Sequence, residues 1–427
     1  MTPLRVGVAG LGTVGAGVLT LLRDNADVVA ARAGRPVAVV AVSARDRLRD
    51  RGVSTAGLKW FDDPTALAHD PAVDVVIELI GGSEGPARVL VEAALRAGKP
   101  VVTANKALMA VHGAALAGLA GDVPLMFEAA VAGGIPVIKA LREGLAGNRI
   151  ERIAGILNGT CNYILTVMRE QGREFADVLA DAQRLGYAES DPSFDVDGVD
   201  AAHKLAILAA LAFNRPVDFG SVHVEGIRGV SAVDIAFATE LGYRIKLLGI
   251  ARRAAGGIES RVHPCMVPVS APIARVDGVF NAVVAEGDFV GRVMLEGRGA
   301  GAGPTASAVV ADVVDIARGR MTPVWGAADG VLSALPPVPM EAHCGAYYLR
   351  LMVVDRPGVI ADVTAALRDA GVSLESMLQR GRSPGEAVPV VLVTHETNEA
   401  AMRAALATIA ALDAVLEPPA MIRIEPG

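Results

Sequence analysis

The stretch Val8-Ala9-Gly10-Leu11-Gly12-Thr13-Val14-Gly15 reads G-x-G-x-x-G. An apolar run at residues 4–9 precedes it, and a helical pattern at 15–23 follows. In such a turn Gly10 permits the tight bend, Gly12 lets backbone approach a pyrophosphate, and Gly15 allows close helix–strand packing. The helix N-terminus then offers unpaired N–H groups to phosphate. A lone string of this kind is weak evidence, and a purely structural turn is the alternative. The strand–turn–helix context favours a dinucleotide site at Gly10, Gly12, Thr13, Val14 and Gly15.

Outward from this turn the pattern repeats. Residues 36–42, 73–80, 100–103 and 124–127 read as further strands, with helical stretches at 15–23, at 86–97 and from about 107. Apolar runs joined by helical crossovers predict a buried parallel sheet. From 134 to 299 the chain is mixed. Strands are expected at 150–157, 283–286 and 292–296, and helices at 161–171, 175–185 and 199–213. A glycine-rich stretch, 297–303, leads through Pro304 into another helix. Prolines at 323, 336, 337 and 339 mark 321–344 as a linker. After it the pattern restarts over 345–427 as strands at 346–353, 388–394 and 421–425 and helices at 359–370 and 399–412. That order reads as a small α+β module, separable from the chemistry.

The chain has 427 residues, enough for two to four domains. It is 52% hydrophobic and 20% charged, which excludes a disordered chain. A net charge of −7 and only 4% aromatics argue against nucleic acid as a partner. Cys161, Cys265 and Cys344 stand far apart and no CxxC occurs, so neither a disulfide scaffold nor a zinc site is expected. No apolar run reaches the roughly 18 to 20 residues of a membrane span. Met1 leads into a strand within a few residues, with no signal-peptide pattern. A reducing cytoplasm is the expected location.

Cofactor choice is read near the end of the second strand. Here the chain has Val42-Ser43-Ala44-Arg45-Asp46-Arg47. Arg45 could pair with a 2′-phosphate and favour NADP, Asp46 could serve NAD, or both could be solvated.

Three segments place charge in apolar surroundings. Thr103-Ala104-Asn105-Lys106 follows a strand, at the carboxyl edge where open α/β sheets bind ligands. Gly186-Tyr187-Ala188-Glu189-Ser190-Asp191-Pro192 is the second. The third runs from Asp195 through Asp197 and Asp200 to His203 and Lys204. Asp200 and Lys204 are four apart and share a helix face, about 6 Å apart along the axis. An ordinary surface pair is the plain alternative, but residues 205–213 are almost wholly apolar, so this helix should be buried. Burying charge without use is costly. The set suits an anionic site for an ammonium group beside a proton-transferring lysine. His203 reads as a packed helix residue.

At these residues the chain resembles the homoserine dehydrogenases. The matching strings are Gly10 to Gly15, Thr103-Ala104-Asn105-Lys106, Ile156-Leu157-Asn158-Gly159-Thr160-Cys161-Asn162-Tyr163, the segment from Gly186 to Pro192, that from Asp195 to Lys204, and Gly301-Ala302-Gly303-Pro304-Thr305. They run in family order over residues 1 to about 320. Asp355-Arg356-Pro357-Gly358-Val359-Ile360 resembles the opening of an ACT domain, and no aspartate kinase region stands upstream, as in the monofunctional bacterial enzymes.

The resemblance implies an α/β protein of three parts. A Rossmann-like doubly wound NAD(P)-binding domain spans 1–133 and is completed by a returning helix near 303–320. An α+β substrate-binding and dimerisation domain spans 134–302. After the linker, a C-terminal ACT domain of ferredoxin-like βαββαβ order spans 345–427. The family interconverts L-aspartate 4-semialdehyde and L-homoserine with NAD(P)H, on the route to threonine and methionine.

Carried over, Lys204 and Lys106 are the catalytic lysines, and Lys106 also touches cofactor. Glu189, Asp200, Asp195 and Thr160 hold substrate. Arg45, Thr103, Gly186, Glu189 and Gly303 join the glycine turn as cofactor contacts, with NADP favoured and NAD possible. A monovalent cation, sodium in most members, is implied at Glu128, Val131, Gly133 and Ile135, where oxygen ligands suit a hard ion; a loop with a capping glutamate is the alternative. Asp355 and Gly358 would bind an effector, with L-threonine the natural one, in a homodimer or homotetramer. An amino-acid sensor without turnover, or another ACT-bearing dehydrogenase, are the competing readings.

Overall fold

The structure is a computed structural model and describes residues 1–327, 335–380 and 383–426. Part of the expected linker, 328–334, and residues 381, 382 and 427 of the C-terminal module lie outside the described residues. The chain forms two compact units that do not follow sequence order. The first comprises Met1–Gly159, Asp200–Val222 and Val279–Leu335; the second comprises Thr160–Val199, His223–Gly278 and Pro336–Gly427.

The first unit is built on a parallel sheet of six strands: β1 (Leu4–Ala9), β2 (Val37–Ser43), β3 (Lys59–Phe61), β4 (Val75–Glu78), β5 (Val101–Thr103) and β6 (Leu125–Met126). Their order is β3-β2-β1-β4-β5-β6. The chain reverses direction across the sheet between β1 and β4, which opens a crevice at their carboxyl ends. The first helix, α1 (Thr13–Asp24), packs with the helix Ala302–Ala317. Val18, Leu19 and Leu22 of one and Val309, Val310 and Val313 of the other share a core with Val6, Val8 and Val42. The two helices meet so closely at Gly17 that a Cβ there would lie 2.6 Å from the Ala302 carbonyl oxygen. The same unit carries an antiparallel ribbon of β7 (Ile150–Ile156), Phe280–Gly287 and Gly291–Arg298. It also holds the helix Val199–Phe213 from Asp200 onward, which is buried nearly end to end.

The second unit centres on an antiparallel hairpin, Tyr243–Ala254 with Gly257–Pro268, paired over its whole length. Its C-terminal part has the order strand Cys344–Val354, helix Val359–Asp369, strands Leu374–Gln379 and Ala387–Thr394, helix Glu399–Ala410 and strand Ala420–Ile424. The last strand pairs with the first, the first with the third and the third with the second, all antiparallel. That is the ferredoxin-like arrangement, with the apolar faces of both helices packed on the sheet.

The module is not separable in the way the proline count suggests. Its last strand also pairs in parallel with Gly257–Pro268, through Cys265↔Arg423 and Met266↔Ile424. Pro336 lacks an N–H, but its carbonyl accepts from Ile258 N at 2.9 Å, and Ile258 O accepts from Val338 N at 2.9 Å. Pro336 to Val338 therefore extend the hairpin edge, where proline is tolerated because only one side of the strand needs donors.

Candidate active site

The glycine turn assigns each glycine a separate physical reason. Gly10 has φ +95°, and a Cβ would sit 2.4 Å from the Leu79 carbonyl oxygen just past β4. A Cβ on Gly15 would sit 2.1 Å from the Gly10 carbonyl oxygen. Around Gly12 a Cβ would meet nothing within 4 Å, so that face of the turn is open. Gly10 N donates to Ser43 O and Leu79 N to Ala9 O, which fixes the turn at the crevice between β1 and β4. No side chain caps α1, so its first N–H groups face the open side. Gly303, in the first turn of its helix, is likewise open where a Cβ would be.

The loop after β2 is crowded with cations. Arg45 is exposed. The Asp46 carboxylate accepts from Leu48 N and Arg49 N through one oxygen and so caps its own turn. Arg51 donates to Leu11 O of the glycine turn at 3.2 Å and to the carbonyls of Arg49 and Asp46. Arg47 and Arg51 both lie over the Trp60 ring, at 5.8 and 5.5 Å from its centroid. Arg51 was not singled out in the sequence. Its place at the end of the series Arg45, Arg47, Arg49, Arg51, each two apart, is the only signal for it in the sequence.

At the end of β5, Thr103 donates to buried Glu78 at 2.6 Å and accepts from Asn105 N. Asn105 caps the helix Lys106–Ala120 through Leu108 N and donates to Gly82 O. Lys106 thus opens a helix whose N-terminus already carries partial positive charge, a locally unfavourable place for an ammonium. Its partner is Asp200, at 2.6 Å. Asp200 also takes Lys204 at 2.8 Å and Asn158 at 2.8 Å, and Lys204 donates to Leu157 O at 2.7 Å. Asn281 donates to the same Leu157 carbonyl. Asp200 is 2% exposed. Burial opposes its charge, but Lys204 and Lys106 outweigh burial and hold the carboxyl well below its usual range. His203 packs on Phe219, ring centroids 4.3 Å apart, and burial pushes its pKa down.

Within the first unit the structure therefore brings Lys106, Asp200 and Lys204 together. Thr160, Gly186, Glu189 and Asp195 belong to the second unit. There the Thr160 hydroxyl lies 2.9 Å from Tyr187 O and 3.1 Å from Asp195 Oδ2, with one proton for the two. Gly186, at φ +77°, ends the helix Phe175–Arg184, and Glu189 is exposed. The neighbouring acids have other duties. Asp191 caps the turn at Ser193, and Asp197 is paired with Arg228. Asp200 serves two lysines of its own unit, while Asp195 meets Thr160 and Glu189 is exposed in the other.

The remaining expected sites are ordered loops. Both Glu128 oxygens accept backbone N–H groups, from Ile138 at 2.9 Å and Lys139 at 2.8 Å, so the side chain caps the next short helix. The Ile135 carbonyl accepts from Val137 N. Burial and the adjacent Asp312 push the Glu128 carboxyl up to about 7, and Lys139 bridges Asp312 and Asp315. Asp355 accepts from Ser383 N at 2.7 Å and so holds a loop, while Gly358, at φ +97°, opens the helix Val359–Asp369.

Among the described residues, ligand atoms of His263, Cys265 and Glu425 come within 4.8 Å of one another. Glu425 is already paired with buried Arg261, and burial, Arg423 and Arg261 drive His263 well below its usual range. Two guanidinium groups make this a poor seat for a metal. No helix among the described residues is long and apolar enough to cross a membrane.

Comparison with known proteins places the chain in a family. Residues 10–123 match the family "Homoserine dehydrogenase, NAD binding domain", 136–314 match "Homoserine dehydrogenase", and 347–413 match "ACT domain". A homoserine dehydrogenase of Pseudomonas aeruginosa is 48% identical over 100% of this chain and 99% of its own. The crystal structure of a homoserine dehydrogenase from Thiobacillus denitrificans superposes with a TM-score of 0.94 at 50% identity, covering 100% of this chain and 99% of that one. A hyperthermophilic archaeal homoserine dehydrogenase in complex with NADPH gives a TM-score of 0.63 at 27% identity over 74% of this chain and 97% of its own.

Proposed function

The chain belongs to the homoserine dehydrogenase family of oxidoreductases, and from that premise we propose that it interconverts L-aspartate 4-semialdehyde and L-homoserine with NADP(H). The observation that carries the reading is one buried carboxylate, Asp200, shared by two ammonium groups, Lys106 and Lys204, in the unit that also bears the glycine turn.

The nicotinamide supplies the hydride when bound. Lys204 gives a proton to the carbonyl oxygen in reduction and takes it back in oxidation. Its hydrogen bonds to Leu157 O and Asp200 fix where the Nζ points, as a proton donor needs. Asp200 gives buried Lys204 a counter-charge and keeps Lys106 against its helix terminus. Lys106, more exposed, polarises the same oxygen and touches cofactor. Glu189 and Asp195 hold the substrate ammonium, with Thr160 orienting Asp195.

NADP is favoured because Arg45 is exposed beside three further arginines while the Asp46 carboxylate is committed to its turn. The archaeal relative in complex with NADPH supports the same choice. A monovalent cation near Glu128, Val131, Gly133 and Ile135 offsets the charge of Glu128, Asp312 and Asp315. L-Threonine at the open helix terminus of Gly358 acts as effector, with Asp355 shaping the adjoining loop, and the enzyme works as a homodimer or homotetramer.

The experiment is a spectrophotometric assay at 340 nm. Purified enzyme should reduce NADP with L-homoserine as substrate, and Lys106→Ala should lose most of that rate. Inertness toward homoserine with either cofactor would overturn the reading in favour of a sensor without turnover.

A further inference from the structure

The second unit buries an ion-pair network that the chemistry above does not use. Glu399, in the first turn of its helix, accepts from the Tyr347 hydroxyl at 2.9 Å, from Arg403 Nε at 2.9 Å and from Arg423 Nε at 2.9 Å. Arg423, fully buried, turns its other face to Glu225, with contacts of 2.7 and 2.9 Å. The fork geometry of guanidinium on carboxylate fixes orientation as well as distance. Burial opposes the charge of Glu225, but hydrogen bonds from His223 and Arg423 hold its carboxyl well below the usual range.

The backbone leaving Glu225 carries this constraint onward. A Cβ on Gly226 would lie 2.2 Å from the Val196 carbonyl oxygen and 2.5 Å from the Asp197 Cα, so only glycine lets the two chains come this close. Ile227 N donates to Val196 O at 2.8 Å. Arg228 clamps both oxygens of Asp197 and reaches the Ser193 hydroxyl at 3.2 Å. The clamped turn, Ser193 to Asp197, contains Asp195, whose carboxylate meets Thr160 and whose carbonyl accepts from Cys161 Sγ at 3.2 Å. Every link lies in one unit.

We propose that Glu225 and Arg228, anchored on the C-terminal module by Arg423, are positioning residues for the homoserine-holding carboxylate Asp195. The proposal rests on the reading of Asp195 given above. In this arrangement the module does not touch the reacting atoms. It sets the angle of the turn that presents Asp195, so a shift of the strand Ala420–Ile424 reaches substrate affinity without altering proton or hydride transfer.

The test measures KM for L-homoserine, kcat and Kd for NADPH in full-length Glu225→Gln, Arg228→Ala, Asp195→Asn and the double variant Asp195→Asn/Arg228→Ala. Arg228 is half exposed at the surface, so its truncation should leave the fold intact even if Glu225→Gln does not fold. The expected result is a roughly tenfold rise in KM for each of Glu225→Gln and Arg228→Ala, about 1.4 kcal/mol. kcat and the NADPH Kd should stay within about twofold. The double variant should be no worse than Asp195→Asn, because residues acting through one another are not additive. If Asp195→Asn raises KM but Arg228→Ala does not, or if the two effects add fully, the positioning role is wrong and the substrate reading stands. If Asp195→Asn leaves KM unchanged, the substrate reading fails and takes this inference with it.

Discussion

Two buried ionic clusters, one in each unit, solve the same electrostatic problem with different cations. In the first, Lys106 and Lys204 share Asp200. In the second, Arg423 grips Glu225 and Glu399. Both place charge where solvation is poor, and both satisfy it with hydrogen bonds. A guanidinium stays protonated at any working pH and its planar fork locks two partners, so the Arg423 cluster is a clamp. An ammonium is a compact group that can release its proton and reorient, so the Asp200 cluster can do chemistry. Choice of cation, more than burial, separates a structural network from a reactive one.

The comparison breaks first at Arg423. Arg423→Ala leaves buried Glu399 and half-buried Glu225 without their shared cation, and breaking the buried Arg423–Glu399 pair should cost about 3–5 kcal/mol of stability in denaturant unfolding. A loss below about 1 kcal/mol would mean that the cluster is too wet to act as a clamp.

A third carboxylate sharpens the contrast because it is buried without enough cation. Glu128 sits at about 7, raised first by burial and then by Asp312. The folded chain keeps this proton where the unfolded chain has lost it, so stability should fall as pH rises from the ordinary carboxyl range through 7. The loss should approach about 3 kcal/mol. Melting should therefore drop between pH 5 and pH 8 in buffers containing only bulky organic cations, and sodium should restore part of it. Glu128→Gln should remove both effects. Melting that ignores both pH and sodium would leave Glu128 as a plain helix cap.

In the reactive cluster, Asp200→Asn should cost about a hundredfold in kcat/KM, with folding retained, because both ammonium groups lose their counter-charge. Near-normal turnover would make the cluster as structural as that of Arg423.

The legibility of these regions in the sequence differs for the same physical reason. The glycine turn, five of the six parallel strands and the helix Val199–Phe213 are legible because apolar periodicity and backbone-specific glycines report directly on local structure, whereas the short edge strand Lys59–Phe61 carries no such pattern. The hairpin Tyr243–Ala254 with Gly257–Pro268 left no such trace. Its buried face carries Glu259, Arg261 and His263; Glu259 pairs with Arg252 across the strands and with Arg261 along its own, so the alternation of apolar residues is broken. Pro336 and Pro337, in the stretch expected as a linker, lie against Ile258 of the hairpin, a pairing that proline content does not signal. At the candidate site, Lys106, Asp200 and Lys204 could be picked out, but their sharing of one carboxylate depends on contacts 94 residues apart in sequence, from 106 to 200, which spacing cannot reveal. The roles of Asn158 and of the Leu157 carbonyl were hidden for the same reason.

The smallest effect concerns cofactor choice, where cations serve neither as clamp nor as acid. Arg45→Ala should raise KM for NADP about tenfold and leave NAD unchanged, since only the 2′-phosphate needs a guanidinium. Equal changes for both cofactors would shift attention to Arg47 and Arg51 beside Trp60.

The central claim is that Lys204 is the proton-transferring group of a homoserine dehydrogenase. Its most direct test is single-turnover reduction of L-aspartate 4-semialdehyde by pre-bound NADPH, comparing the native enzyme with Lys204→Ala. The account predicts a fall in the chemical step of at least about a hundredfold, with NADPH affinity unchanged. A Lys204→Ala enzyme that transfers hydride at close to the native rate would contradict it.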